Sequence, residues 1–86
     1  MTPAEAIAQV RGYAAANRIQ IGPHAKTRMG QRGVTYRDLR NALEHATRCV
    51  AAEQPGRWRV TGPDLDAEEL TTVVVIHDGV VVVTVF

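Results

Sequence analysis

Serine is absent from this chain, and cysteine occurs once, as Cys49. The first absence excludes a serine-hydrolase triad; the second excludes an intramolecular disulfide and fits a reducing compartment. A nucleotide-cradling glycine loop is missing as well. Gly30-Gln31-Arg32-Gly33 lacks the strand–loop–helix setting that such a loop requires. No basic segment followed by an apolar run opens the sequence, so no secretory leader is expected and placement is expected to be cytoplasmic. Val73–Ile76 and Val80–Val83 are split by His77-Asp78-Gly79, which makes them two strands rather than a membrane helix. Internal repeats are absent, and no linker is long enough to divide the 86 residues, so residues 1–86 form one domain.

What is present is unevenly charged. Residues 1–50 hold eight Lys or Arg against Glu5, Asp38 and Glu44, a balance of +5. Residues 51–86 hold Arg57 and Arg59 against six acids, a balance of −4. A positive face for a polyanion or an acidic partner can follow from such asymmetry, unless folding mixes the halves.

Thr2-Pro3-Ala4-Glu5 reads as a helix start with a capping box, and Ala4, Ile7, Ala8, Arg11 and Ala14 supply a small-residue stripe through about Asn17. Ile19-Gln20-Ile21 is a short extended link. Gly22-Pro23 starts a short helix carrying His24 and Arg28, with Arg32 one turn on and Gly30 and Gly33 near its end. Thr35 caps the clearest helix, in which Asp38, shorter than Glu, is expected to serve the positive helix end more than to close a full box. Tyr36, Leu39, Leu43, Ala46 and Val50 give that helix its apolar face. On it His45 and Cys49 stand four residues apart, but no pattern joins them to His24 and His77 as a zinc set. No metal and no cofactor are expected.

Arg57-Trp58-Arg59-Val60-Thr61 alternates as a strand, with Trp58 and Val60 toward the core and the two arginines outward. An acidic loop from Gly62 to Glu69 follows. Leu70–His77 and Val80–Phe86 then form a hairpin through a two-residue Asp78-Gly79 turn. That turn pairs His77 with Val80, Val75 with Val82, Val73 with Thr84 and Thr71 with Phe86. Ile76, Val81, Val83 and Val85 would face the helices, and His77 and Thr84 would share the other side.

The run His24-Ala-Lys-Thr-Arg28-Met29-Gly30-Gln31-Arg32-Gly33-Val34-Thr35, followed by Leu39 and Ala42-Leu43 and by the terminal Thr84-Val85-Phe86, resembles the bacterial domain-of-unknown-function family 4258 over about residues 22–86. That family is similar to small ribonuclease toxins of the RelE and barnase–EndoU type. The resemblance implies an α+β fold, with N-terminal helices packed on a small antiparallel sheet. It also implies a metal-independent ribonuclease-like role, as in the toxin of a toxin–antitoxin pair, and its closest carry-over is His24, Arg28 and Thr84. Phe86 occupies a position where tyrosine-dependent relatives carry a hydroxyl.

In the expected reaction an RNA 2′-oxygen attacks the adjacent phosphorus. His24 is the acid–base candidate, Arg28 stabilises phosphoryl charge, Thr84 orients the phosphate and His77 is a second proton carrier. Lys26, Arg28, Arg32, Arg57 and Arg59 are the candidates for RNA backbone contacts. The alternative is a non-catalytic RNA- or protein-binding module with a degenerate toxin fold. RNA, an antitoxin or other protein, and a second copy of the chain are its candidate partners.

Overall fold

Two capping boxes start two of the three helices. In the computed structural model, which describes residues 1–86, α1 spans Pro3–Ala15, α2 spans Pro23–Arg32 and α3 spans Tyr36–Glu44. The Thr2 hydroxyl accepts from the Glu5 N–H at 3.1 Å, and the Glu5 carboxylate accepts from the Thr2 N–H. Thr35 and Asp38 repeat this arrangement, so the shorter carboxylate does close a full box. The other Asp38 oxygen accepts from the Leu65 N–H. α2 starts on Pro23 and stops at Gly33, whose φ of 66° ends the helix while the Val34 N–H closes back on the Met29 carbonyl.

The buried face of α1 is Ala6, Val10 and Ala14, at strict four-residue spacing, instead of the stripe through Ala4 and Ala8. Arg11 extends from the flank and donates to the Ala46 carbonyl. Arg40 of α3 donates in turn to the Ala14 and Ala15 carbonyls in the last turn of α1.

Five strands follow the order β1-β5-β4-β3-β2: β1 Ile19–Ile21, β2 Arg48–Ala51, β3 Arg57–Pro63, β4 Glu69–Ile76 and β5 Val80–Val85. The sheet is mixed, not antiparallel. Ile19-Gln20-Ile21, expected as a link, is a strand that pairs parallel with β5, Ile19 opposite Val80 and Ile21 opposite Val82. The α3 helix also ends sooner than its apolar periodicity suggests. His45 caps it, and Arg48–Ala51 turn into an edge strand that pairs with β3. Pairing there satisfies the backbone of β3 on its outer side and buries Cys49 opposite Val60, while Val50 is exposed rather than in the core. His45 and Cys49 therefore never share a helix.

The hairpin turns through three residues, His77, Asp78 and Gly79, so Ile76 pairs with Val80. Asp78 and Gly79 both have positive φ. This moves the expected register by one residue, and an irregularity at Val83 moves it back. Val74 pairs with Val82 and Val73 with Thr84, leaving Val83 as the extra residue of a bulge. The three-residue turn inverts the faces of the first part of β5: Val80 and Val82 are buried beneath the helices and Val81 is not, contrary to the two-residue turn. Beyond the bulge the parity returns, and Val85 is buried toward the helices as expected. Val73–Thr84 survives as expected, and the Phe86 N–H donates to the Thr71 carbonyl.

All three helices lie on one face of the sheet, and Leu39, Leu43, Val10, Val60, Val74, Val80, Val82 and Val85 are fully buried between the layers. Trp58 faces this core but is only half-buried. β3 continues through Gly62 and Pro63, which sequence alone assigns to a loop. Gly62 lies so close beneath α3 that a Cβ there would sit 1.9 Å from the Ala42 carbonyl oxygen. No helix is long and apolar enough to cross a membrane.

Candidate nucleic-acid interface

With every helix on one side, the other side of the sheet is left without a covering layer. Strand alternation and register fix what it displays. One row runs Arg48, Thr61, Thr71 and ends at Phe86; the next runs Val50, Arg59, Val73, Thr84; the third runs Arg57, Val75, Val81, Gln20. The Thr61 and Thr71 hydroxyls hydrogen-bond each other at 3.0 Å. Arg59 places its guanidinium over the Phe86 ring, 5.3 Å from the centroid, and Phe86 is itself 44% exposed.

Part of this face is an open groove of about 350 Å³. Arg57, Arg59, Val73, Thr84 and Phe86 line it, and Glu53 and Gln54 of the β2–β3 loop make one bank. The ion pairs of the chain are Arg18–Asp78 and Arg40–Glu44. Arg48, Arg57 and Arg59 therefore have no carboxylate within ion-pair distance. The groove is cationic and partly aromatic, with Glu53 as its acidic member.

The remaining site candidates are distributed around this face. Arg28 comes from α2 to the end of β5, where its Nε–H donates to the Val85 carbonyl at 3.2 Å. β1 covers only Val80–Val82, and just beyond it Gly22 and Arg28 supply the donors for the outer carbonyls of Val82 and Val85. Arg28 thus reaches the strand edge one residue from Thr84, while the Thr84 side chain belongs to the open face. His24 is exposed, one turn before Arg28 on the same helix, and no hydrogen bond links it to Arg28 or Thr84. His77 is not brought to them. It sits in the β4–β5 turn at the opposite end of β5 and lines a separate shallow groove beside Arg18 and Asp78. Lys26 and Arg32 are exposed on α2, in the helical layer rather than on the open sheet face.

Burial pushes the Cys49 thiol upward from its ordinary value, so it is a protonated thiol at neutral pH. The three histidines stand on different elements: His24 in α2, His45 at the end of α3 and His77 in a turn. Sequence periodicity finds Arg57 and Arg59 and misses Arg48, Val50 and Glu53, because β2 reads as the end of a helix. The alternation of exposed Arg48, buried Cys49 and exposed Val50 before the Pro55-Gly56 turn is the signal of an edge strand. No protein-family model, curated protein or solved structure matches this chain.

Proposed function

We propose that this protein engages RNA through the open face of its sheet, and that it is ribonuclease-like in the sense of the small toxins its His24–Arg28 and Thr84–Phe86 segments resemble. The observation that carries the binding reading is the groove in which Arg57 and Arg59 stand without an ion-pair partner beside Phe86 and Thr84. Such a face attracts phosphates without selecting a sequence. Cleavage by 2′-oxygen attack is supported more narrowly, by the arrival of Arg28 at the end of β5 that carries Thr84, with His24 one turn behind. His24 would then take the 2′-hydroxyl proton and return a proton to the 5′-oxygen as the P–O5′ bond breaks, and Arg28, once released from the Val85 carbonyl, would meet the phosphoryl charge. Without turnover the chain is a binding module of toxin-like fold. An antitoxin or a second copy would then compete for the same surface, where Val50 and Phe86 are exposed.

One experiment separates these outcomes. Labelled RNA is titrated and incubated without divalent metal with the wild type, Arg59→Ala and His24→Ala. Salt-dependent binding that Arg59→Ala weakens supports the face, and product formation abolished in His24→Ala supports cleavage. Binding that is absent, or insensitive to salt, sinks the RNA reading. Intact RNA with the wild type leaves a binding module, whose own partner then shows as a change in mass by light scattering.

A further inference from the structure

Building on the RNA reading, we infer that the groove takes single-stranded nucleic acid, stacking an unpaired base on Phe86 while Arg57, Arg59 and Arg48 meet the backbone around it.

The inference starts from the Phe86 ring. It is exposed on the sheet surface and already has a planar cation, Arg59, over it. An aromatic face joined to a guanidinium is a platform for a base, and stacking of this kind needs a base released from its pair. In a duplex the base faces are occupied by their neighbours, and only groove edges and phosphates remain to be read.

The arrangement of charge agrees with a chain of phosphates rather than one anion. Arg57 and Arg59 lie two residues apart on β3 and point to the same side, which separates their Cα atoms by roughly 7 Å. Arg48 stands across β2–β3 from Thr61, the next position along that face. A groove with two cations, a third cation at Arg48 farther along the same face and an aromatic ring at its margin match an extended backbone with a base turned inward. The Thr84 hydroxyl opens into the same groove, where it can hydrogen-bond a phosphate or a base edge. Glu53 is the acidic group on the bank, and it opposes any polyanion placed there.

Lys26 and Arg32 on α2 are not part of this groove, so the inference assigns them no contact with the bound strand.

The test is a set of binding titrations with the full chain. The probes are an unstructured single-stranded RNA, its duplex and inorganic polyphosphate of matched charge, each at several salt concentrations. The single strand is expected to bind at least about ten-fold more tightly than the duplex or polyphosphate. Its logarithmic salt slope should be near −2, as about three phosphates on a single strand require.

Phe86→Leu keeps the apolar bulk and removes the ring; it should lose about ten-fold for the single strand and nothing for polyphosphate. Phe86→Trp should retain or improve binding, which separates stacking from an effect on folding. Glu53→Gln should tighten all anionic probes. Equal affinity for duplex and single strand, or a Phe86→Leu protein that binds like the wild type, overturns the single-strand inference and leaves the RNA face intact. Absence of binding to every RNA overturns both.

Discussion

Asp38 does more for this protein than a helix cap ordinarily does. The Thr35 N–H first, then the Leu65 N–H and the Thr35 hydroxyl, hold its carboxyl below the usual carboxylate range. Its folded-state value is lower than its unfolded one, so its stabilising contribution is present above the ordinary carboxylate range. That contribution is lost as pH falls through the folded-state value. Titration of its side-chain carbon by NMR should give a midpoint below the about 3.9 of a free aspartate. In Asp38→Asn the acid side of the stability curve should flatten, while part of the slope remains because the Thr2 N–H lowers Glu5 in the same direction. A midpoint at or above that of free aspartate would remove Asp38 as the link between α3 and the β3–β4 loop.

Both Thr caps were legible from sequence because what they need lies within four residues, although the shorter Asp38 was expected to leave its box incomplete and closes it. The Asp38–Leu65 bond was not, since it joins positions 27 residues apart. Arg28 shows the same division. Its helix and its place on that helix follow from local spacing, whereas its acceptor, the Val85 carbonyl, depends on how β5 is bulged.

Among the elements, β3 and α3 meet in a close backbone approach at Gly62. Gly62 admits it, together with the small Ala42 and Ala46 on the facing helix. Gly62→Ala would drive a methyl group against the Ala42 carbonyl, with no flexible side chain able to give way. Overpacking of this kind costs about 1–3 kcal/mol or more. A lower urea midpoint is therefore expected for Gly62→Ala, and an unchanged one would show that α3 can lift from the sheet without cost. Gly-Pro in this position read as the start of a loop because it is common turn chemistry; its steric role appears only when a helix is laid over it. β2 was missed for a related reason. Ala46 and Val50 continue the helical spacing of Leu39 and Leu43, but the open outer side of β3 claims Arg48–Ala51 as a strand. The hairpin strands themselves were plain, since valine runs around Asp-Gly admit few other structures. Their faces were not, because a three-residue turn and one bulge each shift the parity and together restore it only beyond Val83.

At the scale of the whole molecule, the layering of helices on one side of a sheet followed from composition and element order, but the position of β1 did not. Nothing within Ile19-Gln20-Ile21 indicates that its partner lies near residue 80. This parallel pairing has a kinetic consequence. Strands β2 to β5 form a meander whose neighbours in space are neighbours in sequence, so it can assemble through short loop closures. β1 must instead close a loop of about sixty residues before it gains any pairing, and α2 rests against the strand that this closure reaches. The order of events in refolding should therefore reverse the order of the chain. Pulsed hydrogen exchange is expected to protect amides of β3 and β4 before Gly22 and Val80, whose N–H groups bond across that late junction to Val82 and Arg18. Simultaneous protection would mean that the meander has no independent existence. If the delay is present, an early intermediate displays the complete arginine-bearing sheet face while its opposite, valine-rich face still lacks α2. Such a species would be prone to self-association during synthesis, however well behaved the finished protein is.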